Sequence, residues 1–388
     1  MLGTLKRYRL AIIALVIGLF LGGAGSKFSP DLSLVSYVYD ILSLQYVDKD
    51  LDSEAMVHGA IRGILASLDD PYTRFMEPKN YSEMKIRLSG EFSGIGIQIG
   101  MRDDRLTVIS PIFDTPAYHA GLKSGDKILS INNESTKGLG LNEAVTKIRG
   151  PIGKAVVLSI LSMNESDPRD VTIVRDTIII KSIQKRAVFD DHIGYLRYST
   201  FENKHGSEEL ELAIRELQSE GVDRLILDLR DNGGGLLDGA VELTSFFVPT
   251  GDVVHTVDRN DDRQSLQVSG EAFYTDPLVV LVNQGSASSS EIVAGALKDH
   301  ERAVIIGDQS FGKASVQNVL PLRDGSAVLY TIAKYLTPNG NNIHEVGISP
   351  NIRVKLATED IKLYYDPETY SYDTDAQLQA AIQYMRAQ

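Results

Sequence analysis

The sequence predicts a multidomain protein of α/β (α+β) class, and three observations carry that expectation. From Ile179 onward, short apolar runs alternate with apolar residues at helical spacing, the pattern of a layered core. Before it, residues 91–178 read as a separate unit of short strands with one helix-spaced face. Before that again, residues 30–90 carry apolar stripes at helical spacing. The expected divisions are 1–26, 27–90, 91–178, 179–355 and a C-terminal helical tail over 356–388.

Composition narrows the function. The 388 residues suffice for two or three domains with a sizeable core. A net charge of −13 argues against nucleic acid as a partner. Seven histidines are scattered, without HExxH or another paired-ligand spacing, so no catalytic metal or other cofactor is expected. Cysteine is absent, which removes disulfides and a thiol nucleophile and fits an exported bacterial protein.

The first segment reads as an export signal. Lys6, Arg7 and Arg9 precede an apolar run from Leu10 to Leu21, and small residues follow from Gly22 to Ser26. The run is shorter than the roughly 20 residues of a membrane span. A cleaved signal peptide is therefore favoured over a retained membrane anchor. In both cases the basic end stays inside, and the rest reaches the periplasm or the outer face of the membrane.

Two helices are expected next. Leu34, Tyr37, Val38, Ile41 and Leu42 form one apolar stripe. A second helix runs near Ser53–Ser67 and stops at the Asp69-Asp70-Pro71 turn.

The unit at 91–178 opens with GEFSGIGIQIG, in which Gly94, Ile95, Gly96 and Ile97 lead into an edge strand. Glycines there let backbone N–H groups converge on a carboxylate. A short helix, a glycine turn and a strand at Lys127–Ile131 fit the stretch from Pro116 to Asn132. Leu141, Ala144, Val145 and Ile148 then mark one helix face. GIGI and AGLKSGDKILSIN resemble the carboxylate loop and following strand of a PDZ domain. Such a domain adds a peptide C-terminus as an extra strand beside its edge strand. The resemblance places a groove between Gly96–Ile99 and Leu141–Ile148, lined by Val145 and Ile148. Its apolar character predicts polypeptide substrates with exposed apolar C-termini. Arg149 ends the second helix, either as a C-terminal helix charge or as a regulatory contact that reports peptide occupancy to the next domain.

In the following domain, Ile193–Tyr198 and Leu225–Leu229 read as strands. A helix between them carries Leu210, Ala213, Ile214 and Leu217. Asn232-Gly233-Gly234-Gly235 follows, where glycine permits a turn that aims N–H groups into a cleft. Asp228, Arg230 and Asp231 read as an ion pair or turn cap at the strand end.

The chain is organised around Val279–Gln317. A buried strand at Leu278–Val282 delivers a serine cluster to a helix N-terminus, and a second apolar run at Ala303–Ile306 delivers the loop holding Lys313. A serine at a helix start has unpaired backbone N–H groups beside it that can hold an oxyanion. Its hydroxyl needs a base. Lys313 serves only when neutral, so burial must lower its pKa, and Gln317 is placed to orient the amine. Capping is the alternative reading, because Ser288-x-x-Glu291 is also a capping box.

GSASSSEI followed by FGKASVQ resembles the nucleophile and base segments of the carboxyl-terminal processing peptidases, also called tail-specific proteases. Ser288, Lys313 and Gln317 fit both spacings of that family; Ser289 stands where the family usually has alanine. AIRGILASLDDPYTRFMEP and TPNGNNIHEVGISPN also match, with Asn351 in place of the usual aspartate. The resemblance implies a crotonase/ClpP-like α/β protease core with an inserted PDZ domain and an N-terminal helical region. It implies a serine-type endopeptidase with a Ser–Lys dyad, and envelope proteins or murein-processing enzymes as substrates. A homo-oligomer and an adaptor protein are the further partners it brings. DLRDNGGG matches the segment that supplies an oxyanion donor, which assigns Gly234 and Ser289 as donors, with Gly233 as the rival glycine.

Three competing readings stand beside this one. His344 or His255 replaces Lys313 as the base; His300 lies about 18 Å along the helix from Ser288 and is too far. A PDZ scaffold binds protein C-termini without cutting them. A hydratase or decarboxylase uses a similar core, against which the peptide-presenting module argues.

Overall fold

The computed structural model describes residues 32–102, 104–112, 114–162, 165–190, 192–357, 364 and 370–388. The export segment expected over 1–26 lies outside the described residues. Among the described residues no helix is long and apolar enough to cross a membrane. The chain divides into two compact units, Met1–Phe75 and Met76–Gln388.

In the first unit, α1 (Leu32–Gln45) and α2 (Ser53–Ala66) form a helical pair. Asp52 starts α2, its Oδ1 accepting from Ala55 N at 2.9 Å. The apolar stripe expected on α1 is present but open. Leu34, Val38 and Leu42 line a groove of about 960 Å³ with Val57, Ile61 and Ile64.

The second unit begins with α3 (Pro78–Ser89) and a small sheet domain. Its strands are β1 (Glu91–Gly94), β2 (Ile97–Arg102), β3 (Arg105–Pro111), β4 (Lys127–Ile131), β5 (Ala155–Leu161), β6 (Arg169–Val174) and β7 (Asp176–Ile179). The order β2-β3-β4-β5-β6 makes one sheet, and β1 pairs with β7. Helix α4 (Pro116–His119) and helix α5 (Leu141–Ile148) pack on it. Leu106, Val108, Ile128, Ala144, Ile148 and Leu158 share its core.

The next sheet runs β8 (Ile183–Phe189), β9 (Ile193–Tyr198), β10 (Arg224–Asp228), β13 (Leu278–Val282), β14 (Val304–Gly307), β17 (Ile352–Arg353). Only β8 is antiparallel to its neighbour. A parallel sheet is covered on both faces, which is why β13 reads as an unbroken apolar run. Leu278, Val280 and Val282 face the core beneath α6 (Gly206–Ser219), α7 (Leu237–Ser245) and α8 (Ser289–Asp299). Val279 and Leu281 face the other way, against Leu378, Ile382 and Met385 of α9 (Ala376–Arg386). Helix α9, in the C-terminal helical tail expected over 356–388, thus packs on the core.

Arg230, buried at the end of β10, fixes that tail. It donates to Asp228 from Nε at 3.0 Å and Nη2 at 2.7 Å, and to Asp375, the N-cap of α9, at 2.8 Å. The expected ion pair is therefore present and extends to the start of α9.

A second, antiparallel set of strands flanks the site: β15 (Ser315–Pro321) and β11 (Asp252–Asp258) pair with β16 (Ala327–Leu336), and β12 (Arg263–Gln267) with β11.

Candidate active site

Strand β13 ends at Val282, and a tight turn carries the chain to Ser288, the N-cap of α8. Ser288 adopts φ 56° and ψ −116°, a backbone that a non-glycine residue holds only under constraint. The constraint is local. Ser288 N donates to Glu291 Oε2 at 2.9 Å, while Glu291 N and Ile292 N donate to the Ser288 carbonyl at 2.8 and 3.0 Å. Ser288 and Glu291 form a capping box, the serine side chain facing the Glu291 amide and the Glu291 side chain the Ser288 amide. The expected capping box is therefore present, and the Glu291 carboxylate holds the Ser288 amide within it.

Ser289 follows at the first helical position, where an N–H has no intrahelical acceptor. Its own hydroxyl donates toward the Gly235 and Leu236 carbonyls at 3.1 and 3.2 Å, joining the helix to the glycine turn. Gly234, at φ +93°, lies directly against the serine: a Cβ there would fall 2.7 Å from Ser288 Cβ and 2.8 Å from Ser289 N. No other residue fits. The Gly234 amide donates to Asn232 Oδ1 at 2.9 Å, so the expected donor is engaged within its own turn. A Cβ on Gly233 would meet nothing within 4 Å, so that glycine borders open space. Asn232 is itself buried and anchored, its Nδ2 donating to Tyr198 O at 2.8 Å.

The loop after β14 brings Lys313 to the same place. Lys313 is half-buried, and its amide donates to Glu291 Oε2 at 2.9 Å. Gly312 N and Ser310 Oγ donate to Glu291 Oε1, each at 2.6 Å. From β16, the buried Tyr335 hydroxyl donates to the Lys313 carbonyl and lies 3.2 Å from the Ser288 carbonyl.

A bulge interrupts the β15–β16 register between Val316 and Gln317. The Gln317 amide nitrogen donates to Ser315 Oγ at 2.7 Å.

The histidine alternatives separate. Both ring nitrogens of His255 are engaged within the flanking strands and loop, with Ser265 Oγ at 2.7 Å and Pro338 O at 2.9 Å. His300 Nε2 bonds Asp252 O at 2.8 Å. His344 lies in the loop that docks on the lysine loop, where Glu345 N donates to Gly312 O at 2.8 Å. Among the described residues no acidic, histidine or cysteine cluster is arranged to hold a metal ion.

In the small sheet domain, Gly94, Ile95, Gly96, Ile97, Leu141, Val145, Ile148 and Arg149 line one groove of about 180 Å³. Ala117 N and Ile112 N bond the carbonyls of Ile95 and Gly96, each at 2.8 Å. A trans peptide points its N–H opposite to its C=O, so the amides of Gly96 and Ile97 turn the other way. Arg149 stacks 4.8 Å over the Phe92 ring, at the groove itself.

Sequence reasoning missed Glu291, Tyr335 and Asn232 as parts of the site. Glu291 left the signal of an ordinary helix cap and Asn232 that of a glycine turn, while Tyr335 left none.

Known proteins resemble this chain in each of its regions. The peptidase family S41 model matches residues 192–354, the PDZ domain model 83–161, and the model of the activating protease CtpB N-terminal domain 23–80. The chain is 43% identical to a carboxy-terminal-processing protease of Bartonella bacilliformis, over 85% of this chain and 76% of that one. It is 38% identical to a carboxyl-terminal-processing protease of Synechocystis, over 80% and 74% of the two chains. Among solved structures it resembles the photosystem II D1 C-terminal processing protease, with a TM-score of 0.50 and 31% identity over 84% of this chain and 94% of that one. With a strand-to-helix serine, a lysine loop beside it and a peptide-groove domain ahead of both, the chain belongs to peptidase family S41, the carboxyl-terminal processing serine proteases.

Proposed function

We propose that the protein is an endopeptidase that takes a polypeptide by its apolar C-terminus and cuts it through a Ser–Lys dyad. The observation that carries this reading is the shared anchoring of Ser288 and Lys313 on Glu291. Neutral Lys313 takes the proton of Ser288, the serine oxygen attacks the scissile carbonyl, and an acyl-enzyme forms that water resolves. Lys313 returns the proton to the leaving amine. Gln317 orients the lysine amine through its side-chain oxygen, its amide nitrogen being held by Ser315 Oγ.

The amide of Ser289 holds the developing oxyanion, and the glycine turn supplies the second donor. Gly234 fills that role when its amide leaves Asn232; otherwise Gly233 does. Loss of one donor raises the barrier by roughly 2.7–4 kcal/mol.

Substrate tails enter the groove between β2 and α5, their carboxylates on the amides of Gly96 and Ile97. Arg149 at the groove end reports occupancy. Export by the N-terminal segment places the enzyme in the periplasm or on the outer face of the membrane. The open apolar groove between α1 and α2 supports a homo-oligomer or an adaptor contact.

Hydrolysis of a disordered polypeptide ending in apolar residues tests the reading, using wild type, Ser288→Ala and Lys313→Ala from pH 6 to 10. The expected result is loss of cleavage in both variants and wild-type activity rising through one neutral-to-alkaline step. Cleavage surviving in Lys313→Ala assigns the base elsewhere. Equal binding of amidated and free C-terminal peptides removes the proposed groove role.

A further inference from the structure

Glu291 is fully buried, and four donors from two separate segments end on its carboxylate. One comes from the nucleophile, Ser288 N. Three come from the lysine loop: Ser310 Oγ, Gly312 N and Lys313 N. A helix cap needs only the first. The other three tie a second segment, 19 to 22 residues further along the chain, to the same two oxygens. The N-terminal end of α8 supplies the electrostatic setting that favours a carboxylate there.

The carbonyl side of the same pair is also bridged. The Tyr335 hydroxyl donates to Lys313 O and sits 3.2 Å from Ser288 O. Ser310 extends the array outward, since Ile348 N donates to its hydroxyl at 2.6 Å and Ser310 N donates to Ile348 O at 3.2 Å. Gly347 makes this approach feasible, because a Cβ on it would fall 2.4 Å from Ser310 O.

We infer that Glu291 and Tyr335 are positioning residues of the peptidase: they hold the backbones of Ser288 and Lys313 in the one relative placement in which the lysine amine reaches the serine hydroxyl. Neither touches substrate in this scheme; both act through the dyad. The inference rests on the Ser–Lys reading and deepens it. Catalytic placement tolerates errors well below 1 Å. A bridge that grips both backbones supplies that precision without occupying either side chain.

Glu291→Gln tests the bridge. It replaces one acceptor oxygen with a donor, which opposes two of the four N–H or O–H groups. The expected result on a disordered fluorogenic polypeptide ending in Val-Ala is a kcat at least 100-fold lower. KM should stay within threefold, and the affinity of the groove for a free C-terminal peptide should be unchanged. The pH–rate midpoint should move, because the lysine no longer sits in its native surroundings. Tyr335→Phe and Ser310→Ala each remove one hydroxyl at nearly constant volume. They should lower kcat five- to fifty-fold with a shifted midpoint and a cooperative thermal transition.

A folded Glu291→Gln enzyme with kcat within threefold of wild type and the same midpoint overturns the inference. If Glu291→Gln does not fold, unchanged kcat and midpoint in both hydroxyl variants overturn it instead. Lys313→Ala is run alongside. Full activity in that variant removes the dyad itself, whereas an inactive Lys313→Ala beside an unaffected Glu291→Gln removes only the bridge.

Discussion

Ser288 N and Lys313 N donate to the same oxygen, Oε2 of Glu291, each at 2.9 Å. Two residues 25 positions apart thus share one acceptor. The contact fixes main chain to main chain. Rotamer changes in the serine or lysine therefore leave the two backbones in register.

Gly234→Ala is the smallest change that disturbs this arrangement from the opposite wall. The new methyl would lie 2.7 Å from both Ala287 O and Ser288 Cβ, at a backbone angle of φ +93°. The backbone penalty alone is about 1–2 kcal/mol. The expected outcome is a modest fall in thermal stability with at least a hundredfold loss of kcat/KM, read by steady-state hydrolysis beside a melting curve. Activity within tenfold of wild type would mean that the turn does not border the reacting carbonyl.

Replacing His255 should leave catalysis intact. Both of its ring nitrogens are occupied, by Ser265 Oγ and Pro338 O, so it has no free nitrogen to accept a proton from Ser288. His255→Gln is expected to lose roughly 1–3 kcal/mol of stability through an unpaired buried partner, with kcat changed by less than threefold. A His255→Gln enzyme that folds normally but no longer cuts would transfer the base role to this histidine.

Much of this architecture is legible in sequence because its physical causes are local. Leu278–Val282 reads as a buried strand since both faces of a parallel strand need apolar cover. The serine–lysine spacing reads through because two strand ends deliver both groups to one edge. The destination of α9 is different: Leu378, Ile382 and Met385 define a face, but a face does not name its partner. Glu291 is hidden for a similar reason, its three additional donors arriving from a distant loop. The bulge that turns Gln317 toward Ser315 leaves no periodic trace in the residues around it.

Burial withholds ionisation from several tyrosines. Tyr195, Tyr198, Tyr274, Tyr364 and Tyr370 are all pushed above the ordinary phenol range, burial being the largest cause in each. For Tyr195 the neighbouring Asp228 charge adds to it. A raised folded pKa contributes stability that is complete below the unfolded value of about 10 and is lost as pH rises beyond it. Absorbance at 295 nm should therefore lack these five tyrosinates in native protein at pH 11. They should appear together with the loss of secondary structure on further alkalinisation. Smooth ionisation of all tyrosines before any unfolding would contradict the packing around β9 and α9.

Asp228→Asn addresses the opposite end of the pH scale. Burial by itself would raise the Asp228 pKa. The charge and hydrogen bonds of Arg230, together with Arg197 and the Tyr195 hydroxyl, outweigh it and hold the carboxyl below its usual range. A depressed folded pKa contributes stability above the unfolded value of about 3.9, and that contribution is lost as pH falls toward the folded value. The variant leaves buried Arg230 with Asp375 as its remaining carboxylate partner. Breaking a buried pair costs about 3–5 kcal/mol, and the surviving partner places the expected loss near the lower end. Urea unfolding at pH 7, 5, 4 and 3 measures it. The gap between wild type and variant should be widest at pH 7 and 5 and should close below pH 4, where wild type surrenders the same interaction. A gap that stays constant down to pH 3 would show that Asp228 acts through shape and hydrogen bonding, with its charge contributing nothing to the anchoring of α9.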